Sequence, residues 1–172
     1  VPWNEFGWSN PEFDALLDLH TASFGRVNSL YVRADMRNEI TATMARLIGP
    51  QIIVHNEAAD RTLRGAAMGM GIPAITLEIG DPQQWQRRYT LNALRGVRAV
   101  MGYSGVIEPE VSAAFDAVPE PVLCTRSGWM YTDRGGLLEV FPGVAERVEK
   151  GQRIATIKNA FGDMFRAYEA PA

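Results

Sequence analysis

The chain is short of several things, and each shortage excludes something. It holds one cysteine, Cys124, in 172 residues. No disulfide can form within it and no second thiol exists for a redox pair, a usage that fits a reducing, cytoplasmic setting. Histidine is scarce as well: His20 and His55 are the whole supply. A catalytic zinc ordinarily takes three protein ligands. No His-x-x-Glu, His-Glu-x-x-His or Cys-x-x-Cys occurs, so a complete zinc motif cannot be assembled from this sequence. No apolar run approaches the roughly 20 residues that span a bilayer, and no secretory pattern opens the chain. Positive charge is not in surplus. The net charge is −3, which argues against nucleic acid as a partner. Gly65, Gly69 and Gly71 lack the Lys-Ser or Lys-Thr that a phosphate loop requires.

What is present suits one good core, or one domain with a small second one. The sequence begins at Val1-Pro2 without methionine and stops at Ala170-Pro171-Ala172 after a β-rich stretch, which reads as a piece of a longer protein. Residues Val1 to Pro11 carry Trp3, Phe6 and Trp8 without periodicity and read as a loop. Phe13 to Leu19 reads as a strand, and Leu30-Tyr31-Val32 as a short one after a loop. Asp35 is placed to cap a helix over Met36 to Leu47, with Met36, Ile40, Met44, Leu47 and Ile48 at helical spacing. Gly49-Pro50 ends it. Gln51 to His55 is a buried strand. Asp60 could cap a helix from Thr62 to Met70, stopped by Gly71. Pro73 to Ile79 alternates as a strand. A longer helix runs from about Gln84 to Gly102, with Trp85, Tyr89, Leu94, Val97 and Met101 inward and Arg87, Arg88, Arg95 and Arg98 solvated.

Strands alternating with helices predict an α/β sandwich with a largely parallel sheet. After Phe115 the character changes. Ala117 to Pro121 reads as a linker, and glycine-punctuated short strands follow from near Val122. The expected organisation is a partial catalytic α/β domain over 1–118 and a partial β domain over 119–172.

Two segments carry chemistry. In Asp18-Leu19-His20 an aspartate and a histidine lie two apart at a strand end, on one face. In Ile75-Thr76-Leu77-Glu78-Ile79 a lone carboxylate interrupts an apolar strand, where a buried charge is costly without compensation. Ligands bind beyond the carboxyl ends of strands in open α/β sheets. If the two strands run parallel, His20 and Glu78 reach the same edge. There an imidazole can bind zinc, a carboxylate can take a proton from water, and Asp18 can hold the ring's other nitrogen. Arg26, Asn28 and Arg33 follow His20 and could bind a carboxylate. His55, at the end of its own strand, reads as structural.

Three runs resemble one family in the same order and at similar spacing. DLHTASFGRVNSLYVRAD resembles the segment with the third zinc ligand of the succinylglutamate desuccinylase/aspartoacylase family, a branch of the zinc carboxypeptidase superfamily. RTLRGAAMGMGIPAITLEIGDP resembles the segment with its catalytic glutamate, and GGLLEVFPGVAERVEKGQRIATIKNAFGDMFRAYEAP resembles its carboxyl-terminal β domain. The resemblance implies a zinc-carboxypeptidase-like three-layer sandwich with a mixed, largely parallel sheet, followed by a small all-β, barrel-sandwich-like domain. It implies Zn²⁺ as cofactor, His20 as metal ligand, Glu78 as general base, and Arg64 as a substrate-facing cation. The implied reaction is hydrolysis of the amide in an N-acyl amino acid or related small molecule, by a cytoplasmic enzyme able to form homo-oligomers, with neither nucleic acid nor membrane as partner. The family's His-x-x-Glu ligands and its asparagine-arginine pair have no counterpart here and are expected upstream of Val1. The alternatives are a catalytically inactive homologue and a biotinyl/lipoyl-like binding module. Lys158, in Ile157-Lys158-Asn159, departs from the carrier pattern.

Overall fold

A computed structural model describes residues 13–59, 61–108 and 120–171. It divides into two compact units, 1–127 and 128–172. In the first, five strands form one sheet: β1 (Leu16–His20), β2 (Leu30–Ala34), β3 (Ile52–His55), β4 (Ala74–Ile79) and β5 (Val122–Cys124), in the order β1-β4-β2-β3-β5. The β1–β4, β2–β3 and β3–β5 pairs are parallel and β2–β4 is antiparallel. The sheet is mixed and largely parallel, as expected. Because β4 lies between β1 and β2, the connection over 21–29 passes across the end of β4.

Strand alternation sorts the side chains. Leu30, Val32, Ala34, Ile53, Ile75 and Leu77 point to one face. There they form the main core with Met44, Ala45 and Ile48 from α1 (Glu39–Leu47) and its cap, and with Ala93 and Val100 from α3 (Arg87–Tyr103). Leu16 and Ala74 point to the other face, against Ala67 of α2 (Leu63–Gly69) and Ile72. Helices therefore cover both faces, and α2 shares its face with Asp18, His20 and Glu78.

Several local expectations are corrected. The first helix begins at Glu39, and its cap is Asn38, whose Oδ1 accepts from the Ile40 and Thr41 amides. Asp35 cannot serve, because its carboxylate is taken by the Arg37 amide and guanidinium. Thr62 caps α2 through the Gly65 amide; Asp60 lies outside the described residues. Trp85 precedes α3 and is exposed, and Leu94 is also exposed. The buried seam of α3 instead uses Ala93, Gly96 and Val100. A Cβ on Gly96 would meet Ile48 Cα at 2.5 Å and its carbonyl oxygen at 2.6 Å, so only glycine admits this approach. Gly96→Ala is expected to cost about 1–3 kcal/mol, the usual range for overpacking, seen as a lowered Tm.

The expected division after 118 falls among residues outside the described set, as do the loop over 1–11 and most of the linker. Val122–Cys124 does not open the β unit. It pairs with β3, Ile52 opposite Val122, so the first unit continues to Ser127. The second unit is an antiparallel three-stranded sheet, β6 (Leu137–Val140), β7 (Arg153–Lys158) and β8 (Met164–Glu169) in sequential order. Among the described residues no helix is long and apolar enough to cross a membrane.

Candidate active site

The parallel pairing of β1 with β4 sets His20 directly opposite Glu78 and Asp18 opposite Thr76. On the other side of β4, the antiparallel pairing sets Tyr31 opposite Glu78 and Arg33 opposite Thr76. Two rows result across three strands: His20-Glu78-Tyr31 and Asp18-Thr76-Arg33. The alignment is held past the strand ends, where the Ala22 amide donates to the Gly80 carbonyl at 3.0 Å and the Gly80 amide to the Ser29 carbonyl at 3.1 Å. Gly80 has φ +71°, and a Cβ there would strike the Gln86 side chain, so the turn after Glu78 requires glycine.

A cavity of about 580 Å³ opens over these rows, lined by Asp18, His20, Arg33, Thr76 and Glu78 of the sheet and by Arg64 of α2, with Asn56 nearby. His20 is half-exposed, and its Nε2 lies 3.0 Å from Asp18 Oδ1. With Nε2 turned to the Asp18 carboxylate, Nδ1 is the ring nitrogen left available as a lone-pair donor in the neutral imidazole. Glu78 Oε2 is buried and, among the described residues, has no hydrogen-bond partner. A native buried carboxylate oxygen without a partner calls for an explanation such as a catalytic role or an ion. Burial raises the Tyr31 phenol above its ordinary range, and the Glu78 charge adds to that while Arg33 opposes it.

Arg64 is buried, and its guanidinium donates to the Asn56 carbonyl (3.3 Å) and to Asn56 Oδ1 (3.1 Å). Burial draws it below the usual arginine range, with the Arg33 charge acting in the same direction. Among the described residues no carboxylate forms an ion pair with it. A buried cation without a counter-ion is costly, and here it faces a cavity.

The structure thus brings together Asp18, His20, Arg33, Arg64 and Glu78 from the sequence-predicted set. Arg26 and Asn28 are not among the lining residues. Asn28 Oδ1 accepts from the Ser29 amide, while its own amide donates to Asp81. His55 Nδ1 accepts the Met36 amide at 3.1 Å, a structural use. Tyr31 and Asn56 carried no functional reading in the sequence. The alternation of Tyr31 and Arg33 around the apolar Val32 was the available signal for the first. A second cavity of about 180 Å³, lined by Leu16, Leu63, Ala66 and Met70 among others, is almost wholly apolar and offers no reactive group.

The donor set was tested against zinc. Among the described residues no three His, Cys, Asp or Glu side chains cluster as a metal site would need. The Nδ1 of His20 and the unpartnered Glu78 oxygen fit one corner of such a site, one nitrogen ligand beside one base.

The model of the succinylglutamate desuccinylase/aspartoacylase catalytic domain matches residues 4–104. The chain belongs to that family. Family members of known structure share the fold. The apo ectoine utilization protein EutE (DoeB) from Ruegeria pomeroyi superposes with a TM-score of 0.76 at 19% identity, over 92% of this chain and 52% of that one. A succinylglutamate desuccinylase from Silicibacter sp. TM1040 gives 0.71 at 17%, over 92% and 50%. A succinylglutamate desuccinylase/aspartoacylase from Rhodobacter sphaeroides gives 0.70 at 21%, over 91% and 49%. This family chain spans about half the length of those structures. No curated protein matches it significantly. The family is named for two deacylases, succinylglutamate desuccinylase and aspartoacylase.

Proposed function

We propose that the chain carries one metal ligand and the general base of a zinc-dependent hydrolase that cleaves the amide of an N-acyl amino acid or related small molecule. The observation that carries this reading is the register pair His20–Glu78, with a buried, partnerless Glu78 oxygen at the cavity. His20 would hold zinc through Nδ1, since Nε2 is engaged by Asp18. When bound, zinc supplies a Lewis acid that polarises the acyl carbonyl and acidifies water. Glu78 accepts a proton from the attacking water and returns it to the leaving amine, so a single carboxylate serves as base and then acid. Arg64, ion-paired to no carboxylate among the described residues, binds a carboxylate of the substrate through its remaining donors. Asp18 fixes the tautomer and orientation of His20. Arg26 and Asn28 have no part in this scheme.

The carrier alternative gains no support. Lys158 ends β7 and is ion-paired to Glu139 at 2.6 Å, whereas a carrier lysine must be displayed free in a tight hairpin.

The test is metal analysis and deacylase assay of the full-length gene product. About one zinc per site is expected, with release of free amine from N-acyl amino acids. Asp18→Asn is expected to weaken zinc affinity by about 10–100-fold, the range for partners that orient a ligating histidine, measured by chelator competition. Gene product that holds no zinc and releases no amine refutes the reading.

A further inference from the structure

We infer that Tyr31 positions the candidate general base: its hydroxyl, held by Arg33, engages one oxygen of Glu78 and leaves the other, Oε2, free to act on water. The inference rests on the hydrolase reading for its chemistry and on three side chains of the sheet for its geometry. Tyr31 lies directly opposite Glu78 across the antiparallel β2–β4 pair, and both are half-buried. Residues paired in register share a face, so phenol and carboxylate are neighbours there. Arg33, two residues along β2, points the same way. Its Nη2 donates to the Tyr31 hydroxyl at 2.7 Å, and its guanidinium carbon lies 5.2 Å from the ring centroid.

Donor counting fixes the direction of this network. A guanidinium has donors and no acceptor, so the Tyr31 oxygen accepts at that contact. The hydroxyl then has one proton to give, and it rotates to suit. Glu78 is its other hydrogen-bonding neighbour, and an ionised carboxylate only accepts. Among the described residues Glu78 Oε2 has no partner, so the hydroxyl serves Oε1. A donor polarised by a cation gives the stronger bond. The two carboxylate oxygens thereby divide the work: one ties the group to the sheet and limits its rotation, and the other keeps its lone pairs uncommitted. Glu78 and Arg33 line the cavity and Tyr31 is not among the lining residues, so Tyr31 acts through Glu78 and is a positioning residue.

Steady-state kinetics and tyrosine-detected NMR of the full-length gene product test this. Tyr31→Phe should lower kcat on N-acyl amino acids by about tenfold, the scale of one hydrogen bond to a charged group, with KM and zinc content little changed. In the Glu78→Gln background the same substitution should add almost nothing, because residues that act through one another are not additive. A third readout needs neither metal nor turnover. In metal-free protein labelled at tyrosine Cζ, the Tyr31 signal is assigned by its loss in Tyr31→Phe. That signal should move in Glu78→Gln, where a neutral amide replaces an ionised acceptor. An unchanged kcat, a raised KM in place of a lowered kcat, an equal fall in both backgrounds, or a Tyr31 signal indifferent to Glu78→Gln overturns the proposal. Should Tyr31→Phe not fold, a tyrosine signal that moves in Glu78→Gln upholds it and the absence of one overturns it. Failure of the hydrolase reading shows as no zinc and no amine release in the unaltered protein, whereas failure of the positioning role shows as full activity in Tyr31→Phe.

Discussion

Glu78→Gln in the zinc-loaded gene product is expected to lower kcat on N-acyl amino acids by about 10²–10⁴-fold, the usual contribution of a positioned general base. KM and zinc content should change little. The substitution is isosteric, so the cavity keeps its shape, but the amide has no basic oxygen able to take a proton from water. The environment makes the experiment clean. Among the described residues Glu78 Oε2 has no hydrogen-bond partner, so exchanging it for an amide breaks no contact at that atom, and the Tyr31 hydroxyl beside Glu78 still faces a hydrogen-bonding group. Steady-state kinetics with parallel metal analysis checks the result. Turnover at the unaltered rate would remove Glu78 from the chemistry, and zinc lost together with activity would make it a ligand instead of a base.

The second large effect has two signs. Arg64→Met is expected to raise KM by roughly 30-fold or more, since deleting one partner of a desolvated charge pair costs about 2–5 kcal/mol. The same change is expected to stabilise the free protein by about 1 kcal/mol, because a buried charge without a counter-ion is replaced by apolar volume. In Tm this is a gain of about 2–4 °C at this chain length. Two features make the signs separable. Arg64 is 4% exposed, so its desolvation is borne in the free state. Among the described residues its donors rest on Asn56, which is not charged. Thermal unfolding and KM measured on one preparation check both. A variant with lowered Tm and unchanged KM would mean that Arg64 is structural.

The residues that could be read from sequence are those whose chemistry conflicts with their surroundings. Glu78 stands out within Ile75-Thr76-Leu77, and His20 closes an apolar strand two residues after Asp18; both lie at the cavity. Their meeting depended on β1 and β4 being parallel neighbours, which no local pattern encodes, since β4 is five elements later in the chain. Tyr31 stayed hidden for a related reason: it sits beside Glu78 through an antiparallel contact with β4, whereas Arg33 was legible as one of the three polar residues following His20 and does line the cavity. α3 shows a different failure. Reading inward positions from large side chains selected Trp85 and Leu94, which are exposed. The true seam is small, Ala93 and Gly96, because the helix approaches the Ile48 backbone too closely for anything larger. Likewise Asp35 and Asn38 are equally good caps by type, and only the competing claim of Arg37 on Asp35 decides between them. Val122–Cys124 reads as the start of the β unit because its pairing partner, β3, lies far back in the chain.

The 21–29 crossing over the end of β4 joins two strands that are each locked to β4 and not to each other. Ala22 and Ser29 at its ends are tied to Gly80 and help hold the registers, so length changes confined to its middle, between them, leave the His20–Glu78 and Tyr31–Glu78 pairings in place. Surface connections tolerate such changes at small entropic cost. The candidate reacting groups therefore ride on the sheet, and the middle of this tether can vary without moving them.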